Sequence, residues 1–241
     1  MTTLVVGASG ATGRLLTQNL LDRGESVRII VRSIDSLPDI MLSHKNLSVT
    51  VADLLALSDT EMNMHVNGCH AIASCLGHNM TFKGMFCPPR RLVTEATRRL
   101  CQAAATGQAA KPVKFVLMNT TGNRNRDLDE PISLAQRCVV GLMRLLLPPH
   151  ADNEAAADYL RVELGQSNEA IEWAVVRPDS LTDESEITEI EVHPSPIRSA
   201  IFDAGSTSRI NVAGFMADLI IEDHIWAQWK GTMPVIYNIG G

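Results

Sequence analysis

The feature that most constrains this chain is a glycine-rich turn near its start. A short apolar run, Leu4 to Val6, leads into Gly-x-x-Gly-x-x-Gly at Gly7, Gly10 and Gly13, and leucines then recur at the spacing of one helix face. This order predicts a strand, a tight turn and the start of a helix. Gly7 would turn the chain off the strand, Gly10 would let a pyrophosphate approach the backbone, and Gly13 would let the helix pack closely. Unpaired N–H groups in the first helical turn favour a phosphate. The pattern therefore predicts a dinucleotide site.

Candidate strands and helices alternate along the rest of the chain. The candidate strands cover residues 27–31, 47–51, 70–75, 113–118, 172–178 and 234–239. One helix should run from the glycine turn to about Arg23, and another should open at Pro88 and Pro89 and run to about Ala105. This alternation predicts an α/β fold with a doubly wound parallel sheet, the Rossmann fold, that binds ligands at the carboxyl ends of its strands. No linker-like segment is evident, so we predict a single domain over residues 1–241, with residues 179–210 as irregular substrate-side loops.

The end of the second predicted strand indicates which dinucleotide binds. Sites that prefer NAD(H) place a carboxylate there to bind the ribose hydroxyls. This chain has Arg32 and Ser33 instead. An arginine can form a bidentate, charge-assisted pair with the 2′-phosphate of NADP(H), although it could also be an ordinary solvent-exposed side chain. We therefore predict NADP(H) as the cofactor. Asp53, after the third strand, could accept a hydrogen bond from adenine or cap the next helix.

Composition excludes some other classes of protein. The net charge of −6 argues against a nucleic-acid binder. No signal peptide is visible, and the longest apolar stretch, Cys138 to Leu147, is too short to span a bilayer, so we predict a cytoplasmic protein without membrane contact. The leucine-rich part of this stretch, Leu142 to Leu147, is expected to pack in the core instead of docking a partner. Five cysteines without C-x-x-C pairs or zinc spacing predict free thiols and no metal site.

Several short segments together resemble the atypical short-chain dehydrogenase/reductase family. They are Gly7-Ala-Ser-Gly-Ala-Thr-Gly13, Val31-Arg32, Asp53-Leu54, Ser74-Cys-Leu-Gly77 and Val176-Arg-Pro178. The chain is most similar to NAD(P)H-binding flavin reductases of the biliverdin IXβ reductase type and to NmrA-like proteins. The resemblance implies phosphate binding at Gly7, Ser9, Gly10, Ala11, Thr12 and Gly13. It also implies that Arg32 binds the 2′-phosphate, that Asp53 and Leu54 lie at adenine, that Leu76 and Gly77 lie beside the ribose, and that Thr120 and Thr121 lie near the nicotinamide.

The catalytic pair of ordinary short-chain dehydrogenases is missing from this sequence. Those enzymes resemble one another in a Tyr-x-x-x-Lys pair, in which the lysine lowers the phenol pKa. Here Glu163 stands four residues after Tyr159 and would raise that pKa, and no lysine occurs between Glu130 and Glu172. Ordinary alcohol dehydrogenation is therefore not expected. Hydride transfer to a flavin, quinone or similar conjugated acceptor is compatible with the chain, because the acceptor ring delocalises the incoming charge.

A few polar residues are candidates for the chemistry. Thr120 or Thr121 could bond the nicotinamide amide or the acceptor, or could simply satisfy a turn. His78 could donate to the open edge of the cofactor, or could be a loop histidine without function. His150 and Asn153 should lie near the nicotinamide, unless Asp152 or Asn153 caps a helix there. Arg124 and Arg126 could attract an anionic acceptor or could be surface residues.

Three functions follow from these observations. The leading hypothesis is an NADP(H)-dependent reductase of a small-molecule electron acceptor, present as a monomer or homodimer. The alternative is a non-catalytic, NmrA-like redox sensor that binds NADP(H) and acts through a protein partner. A second alternative is an enzyme of the epimerase or dehydratase type, which the missing Tyr–Lys pair disfavours.

Overall fold

A computed structural model describes residues 1–78, 89–107, 111–130 and 132–239. The strands in these residues are β1 (Thr2–Val6), β2 (Ser26–Val31), β3 (Leu47–Val51), β4 (Ala71–Ser74), β5 (Val113–Met118), β6 (Ile171–Pro178), β7 (Ser180–Thr182), β8 (Ile190–His193), β9 (Ser206–Ser208) and β10 (Val235–Asn238). An eight-stranded sheet has the order β3-β2-β1-β4-β5-β6-β10-β8, in which only β8 is antiparallel to its neighbour. β7 and β9 form a separate parallel pair. The predicted doubly wound parallel sheet is confirmed.

Helices cover both faces of the large sheet. They are α1 (Ala11–Asp22), α2 (Asp39–Leu42), α3 (Asp59–Val66), α4 (Leu92–Thr106), α5 (Leu134–Leu146), α6 (Pro148–Asp158), α7 (Arg209–Ile221) and α8 (Asp223–Trp229), and α6 continues into a π-helical turn, Tyr159–Leu164. Alternate residues of a strand point to opposite faces of a sheet. Leu4 and Val6 accordingly pack with α3, α4 and α6, whereas Val5 packs with α1 and α7. Both faces are buried, which explains why the strands read as continuous apolar runs.

The helices α1 and α7 lie side by side and run in the same direction. They pack against each other in the core on one face of the sheet. Arg23, just after α1, forms an ion pair with Asp218, near the end of α7. Since the carboxyl-terminal ends of the two helices meet, their amino-terminal ends also lie near each other, at the edge where β1 ends.

The structure differs from the sequence predictions in three places. The helix expected at Pro88 and Pro89 begins at Leu92, and Pro88 lies outside the described residues. Residues 179–210, predicted to be irregular, contain β7, β8 and β9. The prediction that the leucines of α5 pack in the core is wrong, because Leu142, Leu145 and Leu146 are 56%, 80% and 55% exposed. In the described residues α5 packs mainly against α6, and no residue of α5 is buried.

Within the described residues, no helix is both long enough and apolar enough to cross a membrane.

Candidate cofactor-binding and active site

The carboxyl ends of β1 to β5 open into one cleft of about 630 Å³. Most of the predicted site residues line it, namely Gly7, Ser9, Gly10, Ala11, Thr12, Arg32, Asp53, Leu54, Leu76, Gly77 and His78. Gly13, Ser33, Thr120 and Thr121 are not part of the lining. The cleft therefore gathers residues from the ends of five strands at the edge of the sheet where an open α/β fold binds its ligand.

The glycine turn has the geometry that the sequence predicts. Gly7 has a φ of +78°, and a Cβ there would lie 2.5 Å from the carbonyl carbon of Cys75. A Cβ on Gly13 would lie 2.2 Å from the carbonyl oxygen of Gly7. Gly13 thus lies behind the turn, where the lack of a Cβ lets α1 pack closely against Gly7. For this reason Gly13 does not line the cleft. No side chain caps α1, whose N-cap residue is Gly10. The N–H groups of its first turn are therefore available to an anion, and the cleft fits a dinucleotide pyrophosphate.

The end of β2 lies at the adenosine side of the cleft, next to the end of β3. Arg32 is exposed and forms no ion pair with the part of the chain that the structure describes. The Ser33 hydroxyl accepts a hydrogen bond from the Asp35 N–H at 3.1 Å and stabilises the turn after the strand. Arg32 is therefore the available cation at this end of the cleft.

Asp53 does not cap the next helix, which was one of its two predicted roles. Its carboxylate accepts from the Leu55 N–H at 3.0 Å. α3 is capped by Ser58, which forms a capping box with Glu61. Hydrogen bonds from Ser58 lower the pKa of Glu61. Asp53 lines the cleft, and its carboxylate stabilises the loop that also contains Leu54.

His78 is held at the edge of the cleft by a buried carboxylate. Its Nε2 lies 2.8 Å from Oδ2 of Asp152, and the two side chains are 3% and 1% exposed. Asp152 also accepts hydrogen bonds from the backbone N–H groups of Val93 and Thr94, at 2.8 and 3.0 Å, and from the Thr94 hydroxyl at 2.6 Å. One carboxylate therefore both caps the first turn of α4 and fixes the histidine ring.

This arrangement also corrects the predicted capping of α6. The helix α6 begins at Pro148, with Leu147 at the N-cap position, so neither Asp152 nor Asn153 caps it. The cap residue of α6 is apolar, and proline at the first position needs no partner for its missing N–H. Asp152 lies one turn inside α6 and reaches across to α4 instead.

The polar residues after β5 separate into two groups. Asn119 lines the cleft, and its Nδ2 donates to the backbone carbonyl of Asn153 at 2.9 Å. The Thr120 hydroxyl accepts from the Gly122 N–H at 3.2 Å, and buried Thr121 hydrogen-bonds Asp179. Thr120 thus makes the turn contact that was the alternative to a catalytic role, whereas Thr121 joins the loop after β5 to the residue that follows β6. Sequence reasoning missed Asn119, although it is the first polar residue after a buried strand.

His150 and Tyr159 lie outside the cleft lining. The side chain of His150 is buried near Gly122, its Nε2 has no hydrogen-bond partner in the described residues, and burial lowers its pKa. Burial also raises the pKa of Tyr159 to about 12, with Cys101 and Glu163 contributing in the same direction. The predicted effect of Glu163 on the phenol is therefore confirmed in direction. Tyr159 is not suited to proton transfer at neutral pH.

The arginines after β5 are engaged elsewhere. Arg124 and Arg126 form ion pairs with Asp129 and Asp158, at 3.7 and 3.1 Å. Among the described residues, the arginines that line the cleft are Arg32 and Arg209. Arg209 is the first residue of α7, and sequence reasoning missed it because no motif marks it.

Arg177, in the segment Val176-Arg-Pro178, is fully buried. Its guanidinium donates to both carboxylate oxygens of Glu130 at 3.2 and 2.7 Å, and to the carbonyls of Met233, Asn123 and Pro194. All five N–H donors of the arginine are thereby used. This pair anchors the loop after β5 to the end of β6, and its role is structural.

The sheet order, the glycine turn and the cleft define a Rossmann-fold protein that binds dinucleotides. The sequence matches the NAD(P)H-binding family over residues 7–223, and the chain belongs to this family. The NAD(P)H-binding that the predicted resemblance implies is thereby confirmed.

Solved structures with the same fold cover nearly the whole chain. A short-chain dehydrogenase/reductase from Veillonella parvula in complex with NADP is 14% identical, with a TM-score of 0.70 over 99% of this chain and 95% of that one. A proposed NADH-flavin reductase from Streptococcus pneumoniae is 16% identical, with a TM-score of 0.65 over 99% of both chains. An anaerobilin reductase from Escherichia coli O157:H7 is 15% identical, with a TM-score of 0.69 over 100% and 98%. A search of curated proteins found no match. At these identities the structures show the shared fold alone.

Proposed function

We propose that the protein is an NADP(H)-dependent reductase of a small conjugated acceptor, such as a flavin, a quinone or a tetrapyrrole. The observation that carries this proposal is the pair of His78 and buried Asp152 at the edge of the cofactor cleft. It supplies a titratable side chain in a chain that lacks the Tyr–Lys pair. A protein that only holds a cofactor does not need such a group.

The proposed chemistry divides between cofactor and protein. The bound cofactor supplies a hydride. As the hydride reaches the acceptor, His78 gives the acceptor a proton, and the histidine then regains one from water, so that one hydride and one proton are added in total. Histidine suits this step because an imidazole can both give and take up a proton, and it is the side chain most often used for such transfers. Asp152 fixes the orientation of the ring, and it is a positioning residue because it acts through His78.

The other lining residues suit a flat, apolar acceptor. Leu76, Leu92 and Met118 contribute apolar surface to the same cleft, and Asn119 adds an amide on the side of β5. A site that combines apolar side chains with a few polar groups is typical of small-molecule binding. Two structural neighbours, the proposed NADH-flavin reductase and the anaerobilin reductase, agree with this substrate class. Thr120 is proposed only to stabilise the turn beside it, and Thr121 only to join the loop after β5 to Asp179.

The preference for NADP(H) is proposed from Arg32. It stands where a carboxylate would favour NAD(H), and no carboxylate in the described residues pairs with it. The V. parvula structure was determined with NADP, which agrees with this choice.

One observation favours a second function, the redox sensor. The exposed leucines of α5 form an apolar surface that a partner protein could cover. A sensor would use the same cofactor cleft but would not need His78.

The test is transient kinetics of bound NADPH. Riboflavin, FMN, quinones and biliverdin are offered in turn, and oxidation of NADPH is followed by absorbance. We expect at least one acceptor to be reduced faster than the uncatalysed background. Replacing His78 with Asn should slow that step about 100-fold, the lower range for loss of a general acid. Tyr159→Phe, the matched control, should leave the rate unchanged.

Two outcomes would overturn the proposal. Oxidation no faster than background with every acceptor would exclude the reductase and favour the sensor. If the rate is unchanged in His78→Asn but slower in Tyr159→Phe, the proton donor is the phenol of Tyr159 and not His78. Thermal melting of both variants checks that each is folded.

A further inference from the structure

An acidic segment of unassigned role lies against the start of α7. Residues 183–191 contain five carboxylates. Asn211, in the first turn of α7, holds the middle of this segment: its Oδ1 accepts from the Thr188 N–H at 2.9 Å, and its Nδ2 donates to the Thr188 hydroxyl at 2.8 Å. Asp183, at the beginning of the segment, forms an ion pair with Arg209 at 2.8 Å. The segment is therefore attached to α7 at two points.

The ion pair is set by the pairing of β7 with β9. In this parallel ladder Thr182 lies opposite Ser208. Asp183 and Arg209 are the next residues of the two strands, so they leave the ladder side by side. Their juxtaposition follows from the backbone and does not depend on a chance meeting of long side chains.

Arg209 also belongs to the cofactor cleft. It lines the same cleft as Gly10, Ala11 and Thr12. Because α1 and α7 run in the same direction side by side, the first residue of α7 lies near the first turn of α1, where a pyrophosphate would bind. Arg32 lies at the end of β2, on the adenosine side. The two cleft-lining arginines of the described chain therefore face different parts of a dinucleotide.

We propose that Arg209 binds the pyrophosphate of the bound dinucleotide, and that Asp183 holds this arginine when the cleft is empty. The side chain of Asp183 is 83% exposed, so water screens its attraction to Arg209 and the pair is weak. A pyrophosphate carries two negative charges and lies at a helix amino terminus, where it forms a stronger charge-assisted contact. Arg209 therefore exchanges Asp183 for the cofactor.

The exchange connects the cleft to the acidic segment. When Arg209 turns to the cofactor, Asp183 is released while Asn211 still holds Thr188. The beginning of the segment, residues 183–187, is then less restrained. Cofactor occupancy is thereby transmitted to a strongly negative surface beside the cleft. This inference rests on dinucleotide binding and goes beyond the proposed reductase activity.

Binding measurements test the first half of the proposal. Affinities for NADP⁺ and NAD⁺ are measured by calorimetry, without an acceptor. Because both dinucleotides contain the pyrophosphate, Arg209→Ala should weaken both by the same factor, about tenfold for one lost charge-assisted contact. Asp183→Asn should tighten both by up to about fivefold, since it removes the competing carboxylate. Glu186→Gln is the matched control for loss of one charge in the same segment, and it should change neither by more than about 1.5-fold, since exposed charges contribute little.

Three results would overturn this half. They are unchanged affinity for both cofactors in Arg209→Ala, a loss confined to NADP⁺, and equal effects of Asp183→Asn and Glu186→Gln. Unchanged affinity would show that Arg209 does not contact the pyrophosphate. A loss confined to NADP⁺ would show that Arg209 contacts the 2′-phosphate instead. Equal effects of Asp183→Asn and Glu186→Gln would show a general effect of negative charge and no specific competition of Asp183 for Arg209.

Hydrogen exchange tests the second half. Saturating NADP⁺ should speed amide exchange in residues 183–187 of the wild-type protein and leave it unchanged in Arg209→Ala at a concentration that also saturates the variant. Equal responses in the two proteins, or slower exchange in the wild type, would overturn the coupling. Neither measurement includes an electron acceptor. A protein that binds NADP⁺ but reduces nothing would refute the reductase and leave this inference standing.

Discussion

Replacing Arg32 with alanine should weaken the binding of NADP⁺ and leave the binding of NAD⁺ nearly unchanged. A hydrogen bond to a charged group contributes about 1.5–3 kcal/mol. Arg32 is exposed at the end of β2, so water competes for its guanidinium and the lower end of that range applies. We therefore expect Arg32→Ala to weaken NADP⁺ binding by about 1.5 kcal/mol, or roughly tenfold. NAD⁺ lacks the 2′-phosphate, and its affinity should stay within about twofold because no charge-assisted contact is lost.

Calorimetric titration of both cofactors at two salt concentrations gives the necessary comparison. Because the contact is between exposed charges, the preference of the wild-type protein for NADP⁺ should shrink as salt rises. Lys45→Ala removes one exposed positive charge away from the cleft lining and is the matched control. Equal losses for NAD⁺ and NADP⁺ in Arg32→Ala would refute the reasoning, as would an equal loss of NADP⁺ affinity in Lys45→Ala.

Three further predictions concern the framework of the site. Gly13→Ala places a Cβ 2.2 Å from the Gly7 carbonyl oxygen, so it should destabilise the fold by about 3 kcal/mol and weaken the binding of both cofactors. A thermal melt and a cofactor titration check this prediction, and an unchanged melting temperature would contradict it. Glu130→Gln leaves the charge of Arg177 buried and unpaired and should cost about 3–5 kcal/mol in a urea titration. Burial lowers the pKa of His150, so the unfolded chain binds a proton at this residue more readily than the folded one, and the free energy of unfolding should fall as pH drops below about 6.5. In His150→Gln the decrease in the free energy of unfolding between pH 8 and 5.5 should be smaller. An identical decrease in the variant would show that His150 does not cause it.

Local patterns explain why the cofactor half of the site could be predicted from the sequence. The glycine turn and Arg32 act through neighbouring backbone and through their positions at strand ends, and both are visible in a short window of sequence. Alternating strands and helices then fix where those strand ends meet. Gly7, Gly10 and Arg32 accordingly line the cleft as expected.

The remaining features depend on contacts between distant segments. Capping of its own helix by Asp152 is one of the alternatives that the sequence leaves open, but Asp152 caps α4 and holds His78, which is 74 residues away. Arg209 reaches the cleft because α7 packs beside α1, and nothing in its immediate sequence indicates this. The leucines of α5 have the periodicity of a core-facing helix, yet periodicity shows only that a helix has an apolar face and not which surface covers that face.

Two consecutive residues of α6 hold polar groups on the proposed acceptor side of the cleft. Asp152 holds His78 through its carboxylate, and the backbone carbonyl of Asn153 accepts from Asn119. The same helix is joined to exposed α5, because Arg144 donates to Glu154 at 2.7 Å. A displacement of α6 would therefore shift His78 and Asn119 in the cleft, and also the exposed apolar surface of α5.

The two proposed functions make opposite demands on this helix. A reductase needs α6 fixed, so that His78 keeps its orientation whichever form of the cofactor is bound. A sensor needs α6 and α5 to differ between NADP⁺ and NADPH, since a ligand shifts a conformational equilibrium only through different affinities for its states. Hydrogen exchange in residues 134–158, compared between the two saturated complexes, distinguishes them. We expect equal protection; protection that changes with redox state would contradict a fixed α6 and favour the sensor.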